Sequence, residues 1–189
     1  MDTSKEISRY ILLEDHALLT LDRHEIMRAV EILYEAIKHQ KTIYSFGNGG
    51  SASTASHFAN DFNKILNGKL RNKFTFICLN DNIPTIMAIA NDIDYSEIFT
   101  FQLENRVKPG DVVIAISGSG NSSNVIYGAV EAKAQGASVI ALTGYDGGKL
   151  KDLADVHLHV PIDNMQITED LHLMYNHLLV SVISKLLKI

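Results

Sequence analysis

The sequence predicts an α/β fold in which a mostly parallel sheet of five strands is flanked by helices. Five short runs rich in β-branched and aromatic residues alternate with helical stretches, and each run is bounded by Gly, Asn, Asp or Pro. Such alternation is typical of βαβ units, whose parallel strands are covered on both faces. The chain has 189 residues, of which 46% are hydrophobic, so it is long enough to bury a core.

Residues 1–40 predict two helices that precede the first strand. The first is expected over about residues 5–20. The second follows Asp22, which has the spacing of a capping box with Glu25, and its apolar residues recur at helical spacing over residues 26–37. The apolar stripes of this arm fit a sister subunit as well as they fit the chain's own sheet.

Residues 41–189 predict the sheet, its helices and a long C-terminal helix. The predicted strands cover residues 41–46, 74–79, 111–117, 138–143 and 156–160. The predicted helices cover residues 51–66, 121–135, 148–153 and 166–187. Because no internal repeat or linker-like segment divides the sequence, residues 1–189 are expected to form a single domain.

Charge and composition argue against several functional classes. The 17 Lys and Arg are outnumbered by 22 Asp and Glu, a net charge of −5, so no basic nucleic-acid surface is indicated. The apolar runs are too short to cross a bilayer, and the charged N-terminal segment does not resemble a signal peptide. A single cysteine, Cys78, cannot form an intrachain disulfide. We therefore expect a cytoplasmic protein with neither a nucleic-acid nor a membrane partner.

The first candidate site follows the strand of residues 41–46. Asn48, Gly49, Gly50 and Ser51 lie between this strand and the next helix. Glycines let a backbone approach a ligand, a helix start favours an anion, and the serine offers a hydroxyl. The loop has neither the Gly-Lys-Ser/Thr of a Walker A motif nor a GxGxxG pattern. An anion site of another kind is predicted, with a tight turn and a serine cap as the alternative.

A serine-rich loop follows the strand of residues 111–117 and contains Ser117, Gly118, Ser119 and Ser122. Hydroxyls and backbone amides without positive charge suit a phosphate monoester. A turn that caps a helix is the alternative reading. Two such loops at the carboxyl edge of a parallel sheet favour a ligand site, because that edge is where open α/β sheets bind ligands.

Histidines and carboxylates on two predicted helices suit acid–base or metal chemistry. His57 and Asp61 are four residues apart and share a helix face, with a surface ion pair as the alternative reading. Glu169 and His177 lie on the last helix, where a separation of eight residues turns their directions apart by roughly 80°. Both side chains can therefore reach one cleft.

These segments together resemble the sugar isomerase (SIS) family, and within it the phosphoheptose isomerases. The resemblance runs nearly end to end and rests on GNGGSASTASHFANDF, the pair Asn91-Asp92, SGSGNSSNV, ALTGYDGG and EDLHLMYNHLL. Taken alone, Asn91-Asp92 would be read as a turn that ends a helix. The spaced set is specific, whereas the serine loop by itself would indicate only the wider family.

The resemblance implies a flavodoxin-like sheet and a homotetramer with active sites at subunit interfaces. The implied reaction interconverts sedoheptulose 7-phosphate and D-glycero-D-manno-heptose 7-phosphate. The implied substrate-binding residues are Asn48, Gly49, Gly50, Ser51, Asn91 and Asp92, with the phosphate at Ser117, Gly118, Ser119 and Ser122. One zinc ion per subunit is implied at His57, Asp61, Glu169 and His177.

Asp61, Glu169 and His177 are the expected catalytic residues of an isomerisation that passes through an enediol. The resemblance implies that Asp61 is the base and that His177 is its acid/base partner. Asp61 stands where the family usually has glutamate, and Glu169 where it usually has glutamine, so either carboxylate remains a candidate base. An isomerase of another phosphosugar and a non-catalytic protein that binds a phosphosugar or a protein partner are the alternative functions.

Overall fold

The computed structural model describes residues 2–189, which contain one sheet of five parallel strands. In chain order the strands are β1 (Thr42–Gly47), β2 (Thr75–Cys78), β3 (Val112–Ile116), β4 (Ser138–Thr143) and β5 (Val156–His159). Their order across the sheet is β2-β1-β3-β4-β5, as in flavodoxin-like folds. The predicted fold class is confirmed, and each strand begins and ends within one residue of its predicted bounds.

Eight α-helices flank the sheet within the described residues. They are α1 (Thr3–Leu19), α2 (Arg23–Lys38), α3 (Gly50–Asp61), α4 (Ile83–Asp92), α5 (Thr100–Leu103), α6 (Ser123–Ala134), α7 (Leu150–Leu153) and α8 (Met165–Leu187). The helix predicted over residues 51–66 changes directly after Asp61 from α3 to a wider π-helical segment, Phe62–Asn67. Between residues 2 and 189, no helix combines the length and the apolar character needed to cross a membrane.

The strands alternate their side chains between two hydrophobic cores, one on each face of the sheet. In β3, Val112 and Ile114 join the core beneath α2, α3 and α8, whereas Val113 and Ala115 join the core beneath α4, α5 and α6. Every residue of β3 is buried, as expected for a central strand covered on both faces.

The two N-terminal helices differ in how they pack. Helix α2 buries an apolar stripe, including Leu33 and Ile37, and contacts β5 and α8. Helix α1 buries only Ala17, while its Leu12 and Leu19 side chains are 67% and 72% exposed. The second helix therefore covers the chain's own sheet, and the first presents apolar side chains outward.

The capping box predicted at the start of α2 is only half formed. Asp22 Oδ1 accepts the backbone N–H groups of His24 at 2.8 Å and of Glu25 at 3.3 Å. The Glu25 carboxylate does not return to the helix N-terminus, because it accepts the Arg28 side chain at 2.7 Å and the backbone N–H of His157 at 2.8 Å. Glu25 thus ties α2 to β5 instead of completing the box.

The His172 side chain of α8 is completely buried, and burial lowers the pKa of its imidazole from 6.5 to about 4. Since the unfolded chain binds this proton more readily, stability should fall as the pH drops from about 6.5 to about 4. The expected loss is roughly 3 kcal/mol. Chemical denaturation at neutral and acidic pH should show a smaller loss in His172→Leu. An equal pH dependence in the two proteins would contradict this assignment.

Candidate active site

The two glycine- and serine-rich loops meet at the carboxyl edge of the sheet. They enclose a cavity of about 120 Å³ where α3 and α6 begin, referred to below as the serine cavity or anion cavity. The cavity is lined by Asn48, Ser51, Ile116, Ser117, Gly118, Ser119, Ser122, Met165 and Glu169. Because helix N-termini carry partial positive charge, two of them at one cavity favour an anion.

Hydroxyl groups and a tight backbone turn shape the serine loop. The Ser117 hydroxyl donates to the Ser122 hydroxyl at 3.2 Å, and Ser119 Oγ accepts the backbone N–H of Asn121 at 3.2 Å. Gly120 has a φ of 65°, and a β-carbon there would collide with the carbonyl of Gly147. The ALTGYDGG segment therefore supports the serine loop from behind.

Asn48 is held at the mouth of this cavity by two residues that the sequence did not single out. Its side-chain amide pairs reciprocally with that of Asn124, with N–O distances of 2.8 and 2.9 Å. The Tyr95 hydroxyl also donates to Asn48 Oδ1 at 3.0 Å. Both partners are distant from Asn48 in sequence. Asn124 falls within SGSGNSSNV, one of the segments that carry the family resemblance, whereas no local pattern marks Tyr95.

Asn91 and Asp92 are the last two residues of α4, and both are exposed. The Asn91 amide donates to Asp92 Oδ1 at 2.7 Å, and neither residue lines the serine cavity. Their position at the end of α4 agrees with the helix-ending turn that the local sequence predicts. Their role in binding substrate stays a prediction.

A second group of functional side chains lies further along α3 and α8. His57 Nε2 is 3.3 Å from Asp61 Oδ2, and His177 Nε2 is 3.8 Å from the same oxygen. The two Nε2 atoms are 3.2 Å apart. Asp61 is nearly buried, with a side chain 10% exposed, whereas His57 and His177 are 40% and 57% exposed. A cavity of about 500 Å³ opens beside Asp61 and His177.

These three side chains can hold a metal ion. One ligand atom from each of His57, Asp61 and His177 lies within 4.8 Å of the others. Imidazole nitrogens and a carboxylate oxygen suit zinc and also other first-row divalent ions. The chemistry of the donor set and its convergence therefore fit a divalent cation.

Packing between α3 and α8 brings the group together. The two helices run side by side in the same direction, with Gly50 against Glu169 at one end and Asp61 against Asn176 further along. The rise of an α-helix separates Ser51 from His57 by roughly 9 Å along α3. The anion cavity and the histidine group thus lie along the same pair of helices.

Glu169 lies at the anion cavity and not in the histidine group. Its carboxylate covers Gly50, where a β-carbon would collide with it, and it lines the cavity between the two loops. Eight residues of α8 place His177 roughly 12 Å further along the helix. The structure brings together three of the four residues expected at the metal, and Glu169 as the fourth ligand stays a prediction.

Comparison with known proteins agrees with the fold and identifies the family. The chain matches the SIS domain family over residues 14–144, more than half of its length, and it belongs to that family. It is 38% identical over 180 residues to a probable phosphoheptose isomerase of Thermoplasma acidophilum, covering 95% of this chain and 98% of that protein. It is 39% identical over 163 residues to a phosphoheptose isomerase of Helicobacter pylori, covering 85% of this chain and 83% of that protein.

A solved structure adds to the sequence comparison. The phosphoheptose isomerase of Neisseria gonorrhoeae superposes with a TM-score of 0.87 at 28% identity, covering 97% of each chain. Within the SIS family the chain is therefore similar to the phosphoheptose isomerases, as its motifs predict.

Proposed function

We propose that this chain is an aldose–ketose isomerase that converts sedoheptulose 7-phosphate to D-glycero-D-manno-heptose 7-phosphate. The observation that carries the proposal is an anion cavity and a histidine–carboxylate group placed along the same two helices. The relatives named phosphoheptose isomerase, 38% and 39% identical over most of the chain, support the same substrate.

The serine cavity holds the phosphate in this proposal. Its hydroxyls and the starts of α3 and α6 supply donors without adding a fixed positive side chain. The binding energy of the phosphate then orients the far end of the sugar toward His57, Asp61 and His177. A separation of roughly 9 to 12 Å along the helices favours a long-chain phosphosugar over a short one.

Two pairs of proton transfers complete the isomerisation. Asp61 removes a proton from C1 of the ketose while His177 gives one to the oxygen on C2, which forms a cis-enediol. His177 then takes the proton of the C1 oxygen, and Asp61 returns its proton to C2. The C1 carbonyl of the aldose forms, and both side chains regain their starting protonation states.

A divalent cation held by His57, Asp61 and His177 would polarise the sugar oxygens and stabilise the enediolate charge. We propose zinc, with Glu169 as a further ligand if its side chain turns from Gly50 toward His177. The half-exposed imidazoles leave room for substrate beside the group.

Deuterium labelling and a substrate panel test the proposed reaction. Turnover of sedoheptulose 7-phosphate in D₂O should place deuterium on C2 of the aldose, because Asp61 exchanges its proton with solvent. An aldose product without deuterium on carbon would contradict the enediol route. Faster turnover of a pentose or hexose phosphate in the same assay would support the isomerase reaction but contradict the heptose phosphate as its substrate.

Glu169→Gln is expected to tighten phosphosugar binding by about fivefold to tenfold. The carboxylate lies in the anion cavity, where a like charge opposes the phosphate by on the order of 1 kcal/mol. The measurement is KM for the phosphosugar together with inhibition by inorganic phosphate. Ser119→Ala, which removes a hydroxyl from the same cavity, should change both constants in the opposite direction. A fall of a hundredfold or more in kcat for Glu169→Gln, at unchanged zinc affinity, would instead identify Glu169 as the base.

We also propose that the active enzyme is a homotetramer. Helix α1 leaves Ile11, Leu12 and Leu19 between 59% and 72% exposed, and such an apolar surface favours contact with another subunit. Light scattering on the purified protein should give the mass of four chains, and the mass of one chain would contradict this assembly.

A further inference from the structure

Asn176 of α8 is a buried polar residue with one hydrogen-bond partner. Its side chain is 0% exposed, and its Nδ2 donates to Asp61 Oδ2 at 2.8 Å. Its Oδ1 is buried and has no partner among residues 2–189. The one hydrogen bond of this amide is therefore made with the Asp61 carboxylate.

Stability alone does not account for an asparagine at this position. The neighbouring inward positions of α8 are Tyr175, Leu179 and Val180, all buried in the core. A buried carbonyl without a partner is unfavourable, and this one lies on a helix face that is otherwise mostly apolar. The asparagine provides a hydrogen bond to Asp61, which an apolar residue could not make.

The Asp61 carboxylate is held from both sides by amides. Asn60 Nδ2 donates to Asp61 Oδ1 at 3.0 Å from the same helix, and Asn176 Nδ2 donates to Asp61 Oδ2 from α8. Oδ2 is also the oxygen that faces His57 and His177. Asn60 is exposed and Asn176 is fully buried, so the bond from α8 is the one shielded from water.

We propose that Asn176 is a positioning residue that fixes Asp61 Oδ2 toward the two histidine nitrogens. It acts through Asp61 and does not contact substrate. Outer partners of this kind orient ligands and commonly change metal affinity or activity by about 10-fold to 100-fold. This inference rests on the proposed role of the His57, Asp61 and His177 group.

Asn176→Leu separates positioning from a structural role. The variant should bind Zn²⁺ about 10-fold to 100-fold more weakly, measured by competition with a chromophoric chelator. At saturating zinc its kcat should fall about tenfold or more, while KM stays within about twofold, because the serine cavity is unaltered. The Tm of the metal-free variant should fall by only a few degrees, because removing an unpaired buried carbonyl offsets part of the cost of the lost hydrogen bond to Asp61.

Two control variants keep the test decisive. Asn67→Leu makes the same change at a buried asparagine that bonds Asn63 and Phe74, so it should lower Tm and leave zinc affinity unchanged. If Asn176→Leu does not fold, Asn176→Ala is compared with Leu179→Ala, which removes volume from the same helix without touching Asp61. Zinc affinity should then fall only in Asn176→Ala.

The outcomes distinguish this inference from the proposed function. Wild-type zinc affinity and kcat in Asn176→Leu, or an equal loss of affinity in both control variants, would overturn the positioning role. Zinc binding that depends on Asn176 in a protein without heptose turnover would support the positioning role and contradict the substrate. The zinc measurement needs no sugar, so each claim is tested separately.

Discussion

Replacing His177 by alanine is expected to lower kcat by a factor of about 10² to 10⁴, the range typical for loss of a general acid–base group. The imidazole lies 3.2 Å from His57 Nε2 and 3.8 Å from Asp61 Oδ2, beside a cavity that can admit the sugar. In the proposed mechanism this imidazole moves the proton between the two sugar oxygens. Steady-state turnover of sedoheptulose 7-phosphate measures the effect.

The His177 variant also has a clear control. His39 is an exposed histidine whose contact is with Glu35 on its own helix, so His39→Ala should keep wild-type turnover. Zinc affinity should fall in His177→Ala and remain unchanged in His39→Ala. Near-wild-type turnover by His177→Ala would remove this residue from the mechanism.

Asp61→Asn is expected to cause a loss of similar size, about 10²-fold to 10⁴-fold in kcat. The change keeps the size of the side chain but removes the charge that faces both histidines. In the proposed mechanism that charge accepts the C1 proton. Asp61→Glu restores the length that the family usually has and should retain measurable turnover. Kinetics of both variants on zinc-loaded protein test this expectation.

Glu169→Gln is the matched comparison for Asp61→Asn, because each exchanges a carboxylate for its amide. If Asp61 is the base, only Asp61→Asn loses activity. The reverse pattern would assign the base to Glu169 and show that its side chain leaves Gly50 during catalysis. The two variants together decide between the two carboxylates that the sequence leaves as candidates.

Local patterns in the sequence were sufficient for the fold and for the edge that holds the site. Strand β3 is a continuous apolar run, β-branched except at Ala115, and a serine loop follows it directly. Both features are visible in residues adjacent in the chain. The convergence of His57, Asp61 and His177 needed one tertiary fact, the packing of α3 on α8, which the family resemblance supplied. A helical wheel alone placed two of the three on one face.

The remaining features depend on contacts that the local sequence does not encode. The side chains of Glu169 and His177 leave α8 roughly 80° apart, which permits a shared cleft. That Glu169 instead lies against Gly50 depends on how α8 packs on α3. Asn176 reads in the sequence as a polar residue between Tyr175 and His177, and only the packed structure reveals that it is buried against Asp61.

The most direct test of the central claim is turnover of sedoheptulose 7-phosphate by purified, metal-analysed protein before and after chelation. We expect activity that is lost when the metal is removed and restored by zinc, since the ligand atoms of His57, Asp61 and His177 converge as a metal site requires. Undiminished turnover by the metal-free protein would contradict the role of the metal. A zinc-loaded protein that turns over no phosphosugar would contradict the isomerase itself.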